Sequence, residues 1–233
     1  MFDNTVISDI LIERPVNFSV GGRRFLLYQP TLGKMQLTAR LVEIIGFAAE
    51  SEKDAYMGAL IVSHEHRDEC LRIIAYATIP GDGCLDEGIV TARLGELHDL
   101  DDTEVATLLI TVLTLDRSEE VIKATGMDHE AEELSRVVKV KKNGGSVSFG
   151  GRAVWGRLVD PVCERYGWTM HYVLWGISFA NLRLLLADYV RTVYLSEEER
   201  KKANVSTDGI VLQMDGNANA AELEAFIKKQ NWK

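Results

Sequence analysis

Apolar residues that recur every three or four positions, each run opened by a residue able to cap a helix, constrain this chain to a mainly helical fold. Thr31 follows Pro30 and precedes Leu32, Met35, Ala39 and Val42, with Leu41 and Ile45 widening the stripe; a helix ending near Gly46 is predicted. Ser51 with Asp54 opens a second run through Met57, Leu60, Ile61 and Leu71 to Ala77, read as one helix ending before Pro80. Asp101 and Glu104 have the spacing of a capping box, and Leu100 can staple to Val105. Behind them Val105, Leu108, Leu109, Val112 and Leu115 supply one buried face. Thr169, Ser178 and Ser196 head three further helices, the second burying Leu182, Leu185, Leu186, Tyr189 and Val193. Gly209 to Met214 reads as a strand and Ala220 to Lys229 as a terminal amphipathic helix.

Two glycine-centred turns interrupt this helical pattern. A two-residue loop at Gly21-Gly22 sets Val20 opposite Arg23, Phe18 opposite Phe25 and Val16 opposite Leu27, which places apolar pairs on one side. The same register at Asn143-Gly144 sets Val140 opposite Val147 and Val138 opposite Phe149, with Lys139, Lys141, Ser146 and Ser148 on the wet side. The expected fold is therefore mainly α with two small β-hairpins, an α+β chain with a bundle-like helical core. Its expected organisation is an N-terminal hairpin with an acidic helical domain over 1–135, a basic strand and glycine hairpin connector over 136–151, and an aromatic-rich helical domain over 152–233.

Charge narrows the partners. Residues 1–135 carry 25 acids against 11 bases, a balance of −14, and residues 136–233 carry 10 against 15, or +5. Phosphate backbones would be repelled by the first part, and the excess in the second is too dispersed for a nucleic-acid footprint. The longest apolar stretch, Leu182 to Leu195, is broken by Arg183, Asp188 and Arg191, so no membrane span is expected. Met1-Phe2-Asp3 lacks the basic start of a secretory signal, and Cys70, Cys84 and Cys163 are too few and too scattered for a disulfide framework, so a cytoplasmic location is expected.

Three groups have the residue types of chemistry. Ser63-His64-Glu65-His66-Arg67-Asp68-Glu69-Cys70 holds every common metal ligand, yet on a helix His64 and His66 diverge and only His64 with Asp68 could share an ion. Cys163 and His171, with Asp160 to orient them, have the types of a nucleophile and base, but Cys163 lies in the apolar pattern of Leu158, Val159, Val162 and Tyr166 and reads as core. The glycine pairs at 144–145 and 150–151 lack the lysine of a phosphate loop and read as turns. No catalytic residue, cofactor or metal is expected. That leaves Trp168, Tyr172, Trp175 and Phe179, spaced four, three and four apart, which read as core or as anchors for a partner protein; Trp175, just before the helix break, is placed in the core and Tyr172 at the interface.

Two stretches resemble a known family. Phe149-Gly150-Gly151, Trp155-Gly156, Arg165-Tyr166-Gly167-Trp168-Thr169, Tyr172-Val173-Leu174-Trp175-Gly176-Ile177-Ser178 and Asn181-Leu182 resemble proteins of phage and prophage tail-gene clusters. Phe18-Ser19-Val20-Gly21-Gly22-Arg23-Arg24-Phe25 with Pro30-Thr31-Leu32-Gly33 looks like the opening of the tail assembly chaperones of long-tailed bacteriophages. Together they cover about residues 16–46 and 149–202 and leave the acidic middle aside. The resemblance implies a non-enzymatic protein of the host cytoplasm that coats the tape-measure protein, keeps it soluble and helps tail-tube protein assemble around it. A homo-oligomer is compatible with it, and neither nucleic acid nor membrane enters. A structural tail or baseplate component retained in the virion is the alternative, and a metal-dependent enzyme built on His64 a distant third.

Overall fold

The computed structural model describes residues 4–20, 22–47, 54–141, 153–188 and 193–204. Helix α1 (Asn4–Leu11) precedes a hairpin of β1 (Val16–Val20) and β2 (Arg23–Leu27). Six helices follow, α2 (Leu32–Ile45), α3 (Ala55–Glu65), α4 (Arg67–Thr78), α5 (Glu87–Leu97), α6 (Asp102–Leu113) and α7 (Ser118–Thr125), then α8 (Met127–Val140). A π-helical turn (Trp155–Val159) leads into α9 (Asp160–Tyr166), α10 (Met170–Trp175), α11 (Phe179–Ala187) and, last among the described residues, α12 (Glu197–Ala203). None of these helices is long and apolar enough to cross a membrane.

The hairpin has the expected register, Val16 facing Leu27, Phe18 facing Phe25 and Val20 facing Arg23, and Gly22 takes φ +72° in the turn. One face then points inward, because Phe25 and Leu27 are buried while Arg24 and Leu26 are exposed. The main core gathers around α4, whose Cys70, Ile73, Ile74 and Ala75 have no exposed surface. Helices α2, α3, α5 and α6 and strand β2 pack around α4. A helix that buries so wide an arc sits at the centre of a core, and α4 buries Cys70, Leu71, Ile73, Ile74 and Ala75.

Most of the helix starts follow from local chemistry. Thr31, Asp101, Thr169, Ser178 and Ser196 each accept a hydrogen bond from a first-turn amide, and Asp101–Glu104 and Ser196–Glu199 close as reciprocal capping boxes.

Two expectations are corrected. The run from Ser51 to Ala77 is two helices, because His66 leaves helical geometry at φ −128°, ψ 46°, and the cap is Asp54, which accepts from Tyr56 N at 2.9 Å and Met57 N at 3.2 Å. Splitting the rod lets α3 and α4 both bury sides against α6, which one straight helix cannot do. Next, Val138, Lys139 and Val140 belong to α8 and not to a strand. Asp128 and Glu130 in its first turn and Lys139 in its last complement the helix dipole, a signal that overrides the short alternation. The expected turn at Asn143-Gly144, its returning strand, the strand 209–214 and the helix 220–229 lie outside the described residues.

Contacts group the chain into two units. One unit joins Met1–Leu134 to Asn143–Val193, and the other joins Ser135–Lys142 to Tyr194–Lys233. Within the first unit the aromatic segment is interleaved with the N-terminal elements: Phe179 N donates to Pro30 O at 2.7 Å, and Thr31 bridges Ser178. Glu13, at φ +53°, accepts from Ser178 N at 2.7 Å and Asn181 Nδ2 at 3.0 Å. Leu32 completes the apolar cluster of Val159, Val162, Val173 and Leu182. Within the second unit, Val137 and Ala203 are buried.

Candidate protein-binding surface

The four aromatic residues singled out from the sequence do not share one face, because the helix stops at Gly176 and restarts at the Ser178 cap. Trp168 lies between two tyrosines, stacked on Tyr166 at 4.7 Å between ring centres and edge-on to Tyr172 at 5.0 Å. The Arg165 guanidinium sits 5.1 Å from the Tyr166 ring. Tyr172 ends this row 42% exposed, and its ring lies over Gly176 so closely that a Cβ there would stand 2.2 Å from Tyr172 Cδ2.

Trp175 leaves α10 in another direction. Its indole covers Gly33 of α2, where a Cβ would stand 2.6 Å from the ring, and it packs on buried Tyr76, Ile79, Cys84 and Val90. Phe179 is half-buried against the cluster of Leu32, Val173 and Leu182, with the Arg183 guanidinium 5.9 Å from its ring centre. The structure thus brings Trp168 and Tyr172 together and sends Trp175 and Phe179 into packing.

The groups with catalytic residue types are engaged elsewhere. His64 Nδ1 lies 2.9 Å from Asp102, which also accepts from Arg67 at 2.7 Å; the hydrogen bond with His64, then the charge of Arg67, hold the Asp102 carboxyl below its ordinary range. Arg67 further donates to the carbonyls of His98 and Leu100, tying the start of α4 to the α5–α6 connection. His171 pairs with Asp82 at 3.4 Å, while Cys163 is half-buried in the Leu32 cluster. Among the described residues no three His, Cys, Asp or Glu side chains converge as metal ligands.

One ionisable group is buried without having been singled out. Lys34 is 3% exposed, donates to the Ile79 carbonyl and lies 5.5 Å from the Tyr28 ring centre. Burial pushes its ammonium down to about 8, against a smaller upward pull from Cys84.

The sequence reading also missed an exposed surface. It ran Met57, Leu60 and Ile61 along one helix without saying which side faces outward, and α3 buries the other side, Gly58, Ala59, Val62 and Ser63. Tyr56, Met57 and Ile61 remain 40%, 50% and 38% exposed, and Leu60 is half-buried. The available signal was that Ala55–Glu65 is apolar on all sides, so periodicity could not say which side faces inward. Comparison of the chain with protein-family models, with curated proteins and with solved structures gave no match.

Proposed function

We propose that this chain is a non-catalytic tail assembly chaperone, which binds the tape-measure protein of a long-tailed phage in the host cytoplasm and assists assembly of the tail tube around it. The observation that carries this reading is the row Tyr166, Trp168 and Tyr172, held by ring stacking yet open to solvent at Tyr172. Rigid aromatic groups with a wet hydroxyl end are favoured anchors of protein interfaces, since they bury much area and lose little conformational freedom. The resemblance of residues 16–46 and 149–202 to tail-cluster proteins supplies the partner.

The test is Tyr172→Ala, scored by melting temperature and by the solubility of co-expressed tape-measure protein. A side chain this exposed should cost about 1 kcal/mol when truncated, or about 2 to 4 °C in a chain of this size. An anchor should in addition weaken the complex by roughly 2 kcal/mol or more. A normal complex with an intact fold removes Tyr172 from the interface. Failure of the wild-type chain to hold the tape-measure protein in solution removes the proposal, and recovery of the chain in stoichiometric amount from purified virions replaces it with a structural tail component.

A further inference from the structure

Helix α3 is apolar on both sides and buries mainly one of them, Leu60 of the other side being half-buried against the main core. At 100° per residue, Met57, Leu60, Ile61 and His64 fall within an arc of about 100°. Gly58, Ala59, Val62 and Ser63 fall on the opposite arc, and these small residues seat α3 against α6. The outer stripe has the i, i+3, i+4, i+7 spacing by which one helix receives another, and it runs the length of α3, about 16 Å. Exposure of 50% at Met57 and 38% at Ile61, with Tyr56 at 40% beside them, leaves an apolar ridge uncovered.

Charge selects what can cover it. Asp54 caps one end of the ridge and exposed Glu65 closes the other, with Asp68 exposed just beyond. At that end the Arg67 guanidinium and the His64 imidazole are both engaged by Asp102. A second copy of α3 laid on the first would bring acid against acid in either orientation, Asp54 on Asp54 or Asp54 on Glu65, and the surrounding segment 1–135 has a balance of −14. A partner helix with Lys or Arg at the ends of its own apolar stripe meets opposite charge at both ends.

We infer that the outer face of α3, formed by Tyr56, Met57, Leu60 and Ile61, is a docking site for an amphipathic helix whose apolar stripe is flanked at both ends by basic residues. The inference rests on the proposed function only for the origin of that helix, the tape-measure protein.

Two synthetic 18-residue helical peptides test it, each with leucines at i, i+3, i+4 and i+7, one ended by lysines and one by glutamates. Titration into the purified chain, read by fluorescence anisotropy, should show the lysine-ended peptide binding at least about tenfold tighter, with the difference shrinking as salt rises from about 50 to 500 mM. Met57→Glu and Ile61→Glu should each weaken that binding about tenfold or more at an unchanged melting temperature. Met57 is the more exposed of the two, so Met57→Glu decides the matter where Ile61→Glu perturbs the fold. Equal binding of the two peptides, or wild-type binding by folded Met57→Glu, overturns the inference. A dimer in sedimentation that Met57→Glu dissolves also overturns it, in favour of a second copy. The outcome separates from the functional reading: if the wild type binds the lysine-ended peptide on α3 yet leaves the tape-measure protein insoluble, the docking face stands and the partner falls.

Discussion

At Lys34 the fold carries an ammonium where water cannot reach it. Its value of about 8 against an ordinary 10.5 means that holding the charge inside costs about 3 kcal/mol at neutral pH. That cost is fully present below pH 8, where folded and unfolded chains both hold the proton. Above pH 8 the folded chain releases it first, so stability rises with pH towards 10.5. The Cys70 thiol, pushed up from 9.0 to about 11 by burial, acts in the opposite sense from about pH 9, because there the folded chain keeps a proton that the unfolded chain loses. The melting temperature is therefore expected to rise between pH 8 and 9 and to level off above, and in Lys34→Met the rise should vanish. A rise of equal size in Lys34→Met would show that another group is responsible. Two glycines make a second residue-scale contrast. Gly33→Ala pushes a methyl into the half-buried Trp175 indole and should cost about 1 to 3 kcal/mol in urea unfolding. Gly176→Ala meets the exposed Tyr172 ring first, which can swing outward, so its fold should persist while the proposed tape-measure binding should fall as in Tyr172→Ala. Equal losses of stability in the two variants would contradict this difference in seating.

Helix ends are the part of this fold most directly written in the sequence, because a cap is a contract between residues three apart. Asp101 N has no intrahelical acceptor and instead donates to Glu104 Oε2 at 2.9 Å, while Glu104 N donates to Asp101 Oδ1 at 2.8 Å. Asp101→Ala breaks one half of the box at the start of a helix whose Val105, Leu108 and Leu109 are fully buried. A loss of about 0.5 to 2 kcal/mol is expected, measured by urea unfolding, and no loss would mean that packing alone holds α6. The hairpin register was legible for the same reason, since a glycine turn and an alternation of two fix it within ten residues. Direction was less legible. Which side of α3 faces α6 depends on Gly58 and Ala59 letting two backbones approach, a fact of the neighbour and not of the period. The break at His66 was hidden likewise, because Arg67 is held by Asp102, His98 and Leu100, more than thirty residues away. Of the candidate site, the aromatic types were readable, but the partnership of Tyr166 with Trp168, the seat of Trp175 on Gly33 and the role of Glu13 were not, since none of them shows in helical spacing.

The composition shift near residue 135 suggests that a C-terminal domain begins beyond it, yet the packing crosses that boundary. Helices α9, α10 and α11 enclose a cluster that Leu32 of α2 completes, and Trp175 rests on Gly33 and on Tyr76, Ile79, Cys84 and Val90 of the helices beyond. Glu13 and Pro30 supply the partners for the amides that open α11, and Arg183 reaches back to Ser118 Oγ at 2.9 Å and Glu119 at 2.8 Å on α7. Cutting the chain at residue 152 would strip the aromatic helices of one wall of their core and leave the first turn of α11 without two of its acceptors. The three helices are 7, 6 and 9 residues long, too short to persist in water without tertiary packing. A fragment of residues 153–188 is therefore expected to show little helical signal and no cooperative melting by circular dichroism. Adding residues 1–151 in trans should restore a transition if the interleaved packing is what orders it. Cooperative unfolding of the isolated fragment would instead mean that these helices fold by themselves, and that their contacts with α2 only dock a finished domain.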